Sequence, residues 1–167
     1  TYHDGGRWGQ WSDGGGSSLE LMDAKSDNRF ASNWEDSDET SKGEWTTVEH
    51  TGRLDNGRGA FNEVQFFLLG GGECLVDDLF VAQTGAANRV SNGNFESGLD
   101  GWVIQGNHIR SELSEPGEGF QSERSLYLRA TSGGDNGANR IESDLTSSLS
   151  NGQRATLRAK VRWLRGH

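Results

Sequence analysis

The stretch from residue 64 to residue 102 reads VQFFLLGGGECLVDDLFVAQTGAANRVSNGNFESGLDGW. Residues 75–82 alternate with a period of two and are largely apolar on both faces, which predicts a buried β-strand. A polar spacer from residue 83 to residue 88 follows this segment, and a second strand-like segment opens at Val90. The stretch therefore predicts short β-strands joined by polar turns.

The composition agrees with a chain of many short strands. The 167 residues leave room for one ordinary domain or for two small ones. The 25 glycines against 1 proline fit tight turns better than a disordered linker. The longest purely apolar stretch, residues 66–69, is too short to cross a membrane, so we expect no membrane insertion. The lone cysteine, Cys74, is expected to be a small buried side chain.

The charge is unevenly distributed along the chain. Residues 1–87 carry 6 Lys/Arg and 16 Asp/Glu, whereas residues 88–167 carry 10 and 9, for a net charge of -9. An acidic first half repels phosphates, which disfavours nucleic acid as a partner. The asymmetry supports two units, although ordinary surface solvation explains it as well.

Strand-like alternation recurs elsewhere, and no helix longer than a single turn is predicted. About eight or nine short strands with Gly, Asn and Asp turns predict an all-β, jelly-roll-like antiparallel β-sandwich. The clearest strand is residues 154–164, which we expect at the centre of a sheet. Its predicted inward-facing residues are Ala155, Leu157, Ala159, Val161 and Trp163.

Two short motifs resemble a known family. N-G-N-F-E at residues 92–96, followed by Gly101-Trp102, resembles the opening of the jelly-roll carbohydrate-binding modules that accompany xylanases and other glycan-active enzymes. L-V-D-D-L-F-V at residues 75–81 resembles the closing strand of the same family. The resemblance implies that Trp102 is a core residue. The two motifs occur here in reversed order. Residues 1–87 therefore look like the C-terminal part of one module, or the first half of a permuted one, and residues 88–167 look like the N-terminal part of a second module.

The resemblance implies a non-catalytic function. It indicates glycan binding or scaffolding in a secreted or cell-surface protein, with a polysaccharide or a cell-surface glycan as partner. The alternative is a structural repeat unit of an extracellular filament or adhesin, assembled head to tail by strand addition. An enzyme is disfavoured, because no nucleophile or nucleotide-binding motif is present and the histidines lack metal-ligand spacing.

The resemblance also implies a structural calcium ion. In the family, calcium often lies where the first and last strands meet, on the Glu of F-E and an Asp of D-D. The matching residues here are Glu96 and Asp77. Hard oxygen ligands on rigid strands suit calcium. The other interpretation is that Asp77 caps a turn or pairs with a surface arginine.

Three tryptophans are candidates for contacts with sugar rings. Trp8, Trp11 and Trp34 lie in polar or Gly/Asp-rich stretches, where a core tryptophan is unusual. Exposed indole faces stack on the C–H faces of pyranose rings. The alternative is that these rings pack over a sheet edge. The acidic run at residues 34–39 is expected to be a solvated loop, because it lacks the central Asp of the E-x-D-x-E glycosidase signature.

The last predicted strand carries a basic stripe. Its cations are Arg154, Arg158, Lys160, Arg162 and Arg165. At a sheet edge, such a strand would seek an acidic or unpaired strand of another unit. The alternative is that the acidic half and the basic strand close one permuted sandwich within the chain.

Overall fold

The computed structural model describes residues 6–55 and 61–166, and in this part of the chain the regular secondary structure is almost entirely antiparallel β-sheet. Helical structure there is limited to two 3₁₀ turns, Ala31–Asn33 and Gly106–His108. The prediction of an all-β fold is confirmed. The described strands are β1 (Leu19–Leu21), β2 (Trp34–Asp36), β3 (Thr46–Arg53), β4 (Phe61–Phe66), β5 (Gly72–Gln83), β6 (Val103–Ile104), β7 (Glu112–Leu113), β8 (Leu126–Ala130), β9 (Ile141–Leu149) and β10 (Arg154–Gly166).

These strands form two larger sheets and one small pair. The larger sheets have the orders β3-β10-β5-β8-β7 and β4-β9-β6, and β1 pairs with β2. Strands from before and after residue 87 are neighbours in both larger sheets. Each half of the chain therefore completes the hydrogen bonding of the other. No described helix has the length and apolar character that a membrane span requires.

The core lies where the two larger sheets face each other. Val76 on β5 and Leu126 on β8 belong to the same buried cluster as Ile141 on β9. The loop after β5 adds Phe95, which is fully buried, with its ring centroid 5.2 Å from that of Trp102. The prediction that Trp102 is a core residue is confirmed. The buried Cys74 also agrees with prediction, and its burial raises the pKa of the thiol to about 12.

Strand β10 is a central strand, as predicted, because it pairs with β3 on one side and with β5 on the other. β3 pairs with residues 154–161 of β10, and β5 pairs with residues 155–166, so the neighbours of this strand come from the same chain. Assembly by strand addition stays a prediction. The basic side chains of β10 meet acidic partners from the first half of the chain. Arg158 lies 3.7 Å from Glu49, and Arg165 donates a 2.8 Å hydrogen bond to Glu73.

Two of the five residues predicted to be buried on β10 are exposed. Ala155 and Ala159 are buried and Val161 packs against the core, but Leu157 is 42% exposed and Trp163 is 38% exposed. A β-bulge after Trp163 adds one residue to β10, so Leu164 is the buried residue at this end of the strand.

Leu157 keeps the predicted phase but lies in an open groove. The groove is also lined by Phe61 on β4, Leu149 on β9 and His50 on β3. The side chains of the opposite sheet do not close over Leu157 at this corner of the sandwich. Leu157 therefore faces the predicted side of β10, and the prediction of its burial is wrong because the second sheet does not cover this side chain.

The segment before β3 packs against one end of the five-stranded sheet. The Arg162 guanidinium donates to the backbone oxygens of Thr40 and Gly43, each at 3.0 Å. The prediction of a solvated loop at residues 34–39 is wrong for its first part, since residues 34–36 form β2. The Asp36 carboxylate is bound by the backbone N–H groups of Trp11 and Ser12, at 2.9 and 2.8 Å. These bonds explain why this part of the acidic run is ordered against the protein.

Candidate functional site

The three candidate tryptophans are all half-buried, and the structure brings two of them together. The ring centroids of Trp8 and Trp34 lie 6.5 Å apart with a tilt of 51° between the ring planes. The Trp34 indole N–H donates to the backbone oxygen of Asn28 at 3.0 Å. Trp11 lies elsewhere, with the guanidinium of Arg165 5.2 Å from its ring centroid. Stacking on sugars stays a prediction for all three residues.

The two candidate calcium ligands both hold the segment that precedes β8. Asp77 is fully buried, and its Oδ2 atom accepts hydrogen bonds from the Phe120 backbone N–H at 2.7 Å and the Ser122 hydroxyl at 2.8 Å. Glu96 is exposed, and its Oε1 atom accepts a 2.7 Å bond from the Arg124 backbone N–H. Burial raises the pKa of the Asp77 carboxyl, although these hydrogen bonds oppose the shift.

In this structure both carboxylates accept hydrogen bonds from the segment at residues 120–124, and calcium binding stays a prediction. Calcium takes six to eight oxygen ligands, whereas N–H and O–H donors occupy oxygens of Asp77 and Glu96. In the described part of the chain, no three His, Cys, Asp or Glu side chains cluster in a way that could hold a metal ion. A calcium ion at this place would require the donors of residues 120–124 to move.

The aspartate pair at the centre of β5 lies at a β-bulge. The pairing between β5 and β10 shifts between Asp77 and Phe80, which places one extra residue on β5. Asp78 in this bulge has a φ of 48°, a left-handed conformation that Asp tolerates better than most residues. The bulge changes the phase of the strand, so that Val76 and Leu79 both face the core. Asp78 is left exposed on the surface.

Asp78 lines a cleft of about 780 Å³ that crosses β3, β10 and β5. A cleft of this volume suits a small ligand or a few sugar units. The loop at residues 88–94 forms one rim of the cleft. The lining residues, which we call the sheet cleft, are Thr47, Glu49, Asp78, Leu79, Phe80, Asn88, Val90, Asn92, Gly93, Asn94, Arg158 and Lys160.

Two cations of the sheet cleft lie over aromatic rings. The Arg158 guanidinium carbon is 4.6 Å from the centroid of the Phe80 ring, and the Lys160 ammonium is 4.2 Å from that of Phe120. Lys160 also donates a 2.8 Å hydrogen bond to the Thr47 hydroxyl. These cation–π contacts orient the charges and cover the ring faces. The cleft therefore offers hydrogen bonds and charge to a ligand more than open stacking surfaces.

The sheet cleft has no signal in any run of consecutive residues. Its charged residues come from three strands that are far apart in sequence, around residues 49, 78 and 158. The basic stripe on β10 was visible, but the identity of its neighbours was not. Only Asp77 of the aspartate pair was predicted to have a role, as a calcium ligand, whereas Asp78 lines the cleft.

Comparison with known proteins found no relative of this chain. No family model, no curated protein and no solved structure matches the chain. The evidence for a function therefore comes from the sheet cleft and its chemistry.

Proposed function

We propose that the protein is a non-catalytic glycan-binding β-sandwich module of a secreted or cell-surface protein. The observation that supports this proposal is the sheet cleft, an open groove on rigid strands. It presents both hydrogen-bond donors and acceptors, which sugar hydroxyl groups need. Arg158 and Lys160 supply donors, while Glu49 and Asp78 supply carboxylate acceptors. Binding on sheet strands costs little ordering, because the strands are held before the ligand arrives.

The first prediction concerns the location of glycan binding. A glycan array should give binding above background, and Asp78→Asn should weaken the best ligand about tenfold, since it removes a charged acceptor. Asparagine tolerates the left-handed backbone of residue 78, so the bulge should remain. Asp100→Asn is the matched control at an exposed position outside the sheet cleft. Titration calorimetry provides the measurement.

Substitution of the tryptophans tests the other location. If Trp8, Trp11 or Trp34 stacks on the glycan, its change to alanine should cost about 1 kcal/mol of binding free energy. Loss of binding in these variants with no effect of Asp78→Asn would place the site at the aromatic rings. An array without any hit would contradict glycan binding altogether.

The second prediction concerns calcium, which we retain as a proposed structural ion. Binding to the folded state alone raises stability by mass action, so a chelator should lower the melting temperature. Glu96→Gln should then abolish this sensitivity, while Glu115→Gln, at an exposed position on the loop before β8, should retain it. Identical melting curves with chelator and with added calcium would show that Asp77 and Glu96 serve only as hydrogen-bond acceptors.

A further inference from the structure

We infer that the sheet cleft selects glycans that carry carboxylate groups, such as uronic acids, and that Arg158 recognises the carboxylate. This inference rests on the proposed glycan-binding function and names the class of sugar.

Arg158 has an oriented guanidinium whose donors are unused. The group lies over the Phe80 ring, and it makes no hydrogen bond with any described residue. Its nearest carboxylate, that of Glu49, is 3.7 Å away, which is beyond hydrogen-bond distance. A guanidinium presents a planar fork of N–H donors that matches a carboxylate in a bidentate pair. Arg158 therefore has only a long ion pair with Glu49, and its N–H donors stay available for the carboxylate of a ligand.

Lys160 adds a second positive charge to the same wall of the cleft. It follows Arg158 by two residues on β10, a spacing of about 7 Å along a strand. Its ammonium lies over Phe120 and bonds to the Thr47 hydroxyl. Within the described residues no carboxylate lies within 4.0 Å of this ammonium. The Arg158–Lys160 wall thus carries two cations that aromatic rings hold in place.

Asp78 on β5 and Asn94 on the rim loop supply polar groups that suit hydroxyls. Neither the Asp78 carboxylate nor the Asn94 amide has a hydrogen-bond partner among the described residues. A uronate ring carries a carboxylate together with neighbouring hydroxyl groups. The carboxylate matches the Arg158–Lys160 wall, and the hydroxyls match the acceptor of Asp78. A neutral sugar would bind the acceptor of Asp78 through its hydroxyls but would leave the two cations without a carboxylate.

The net charge of the chain makes the interaction selective. At -9, the protein as a whole repels polyanions. An anionic glycan should therefore bind only where the local arrangement of cations outweighs this repulsion. A highly sulfated polymer, which carries charge but lacks the planar carboxylate, should bind weakly.

Calorimetry with matched glycans tests the inference. The probes are oligogalacturonate, oligoglucuronate and alginate oligosaccharides, each compared with the same material after reduction of its carboxyl groups to alcohols. Dextran sulfate reports unspecific attraction. We expect at least one uronate probe to bind about tenfold or more tightly than its reduced form.

Variants of β10 then locate the carboxylate. Arg158→Gln should remove the preference for the uronate over its reduced form, and Arg158→Lys should keep only part of it, because the fork is lost while the charge remains. Arg154→Gln is the matched control, since Arg154 lies on the same strand outside the sheet cleft. It should leave the preference unchanged.

The outcomes separate this inference from the proposed function. Equal binding of uronates and their reduced forms, or binding of neutral glycans only, would overturn the carboxylate preference while glycan binding stands. A uronate preference that survives Arg158→Gln, or equal binding of dextran sulfate, would overturn the assignment to Arg158. Absence of binding to every carbohydrate would overturn both.

Discussion

Replacement of Glu73 by glutamine should lower the free energy of unfolding by about 3 kcal/mol, the lower end of the range for breaking a buried ion pair. Glu73 is 6% exposed and accepts hydrogen bonds from Arg165 at 2.8 Å, Arg129 at 3.3 Å and the Tyr127 hydroxyl at 2.5 Å. Glutamine would leave these two guanidinium groups without their buried counter-charge. Both arginines keep some contact with water, which moderates the loss.

The effect should depend on pH in a defined direction. Burial by itself would raise the pKa of Glu73, but the hydrogen bonds from Arg165 and Tyr127 and the charges of Arg165 and Arg129 outweigh it and lower the pKa. The unfolded state therefore binds more protons as the pH falls below the ordinary glutamate value of about 4.3. The stabilisation is present above that pH and is lost as the pH falls through the lowered folded-state pKa.

Denaturant titrations at several pH values provide the measurement. The wild-type protein and Glu73→Gln should differ by the full amount near pH 7 and converge in acid. Glu112→Gln is the matched control, because Glu112 contacts the same Arg129 from an exposed position. This control should change stability by about 0.5 kcal/mol or less. A difference between wild type and Glu73→Gln that stays constant down to pH 3 would contradict the electrostatic explanation.

Phe95→Ala should destabilise the protein by about 3–5 kcal/mol, because it removes a large side chain from a fully buried position and leaves a cavity. The ring contacts Trp102, whose indole N–H donates to the backbone oxygen of Asn92 at 3.1 Å. The cavity would therefore loosen the loop that also forms a rim of the sheet cleft. The φ of 55° at residue 95 is unfavourable for phenylalanine and for alanine alike. Backbone strain therefore contributes little to the difference in unfolding free energy between the wild type and Phe95→Ala.

The same chemical change at an exposed site provides the control. Phe30 is 57% exposed, and Phe30→Ala should alter the free energy of unfolding by about 0.5 kcal/mol or less. The two variants are compared by urea unfolding at equal protein concentration. A loss below about 1 kcal/mol for Phe95→Ala would mean that the N-G-N-F-E segment is peripheral to the core.

Local periodicity predicted the elements well where a strand is regular. The alternation in β10 and the apolar character of β5 are properties of consecutive residues, and both segments form strands at the expected places. Trp102 and Cys74 are buried as expected. The two strand predictions succeeded because a period of two constrains every side chain of a regular strand in the same way.

The same reasoning failed at the bulges. Asp78 on β5 and Leu164 on β10 each interrupt the pairing between these two strands. One extra residue reverses the faces of the positions that follow, so the bulge after Trp163 places Leu164 in the core. A bulge forms where two strands fit against each other, so neither sequence alone shows it.

The sequence by itself determined that this chain is all-β, that its turns are rich in glycine, and that β10 is a central strand with a basic stripe. The tertiary structure alone decided which strands are neighbours, and therefore which residues line the sheet cleft. Glu49, Asp78 and Arg158 are brought to one surface by pairing of β10 with β3 and β5. The physical reason is that hydrogen-bonded register between distant strands depends on the whole core, whereas periodicity depends only on adjacent residues.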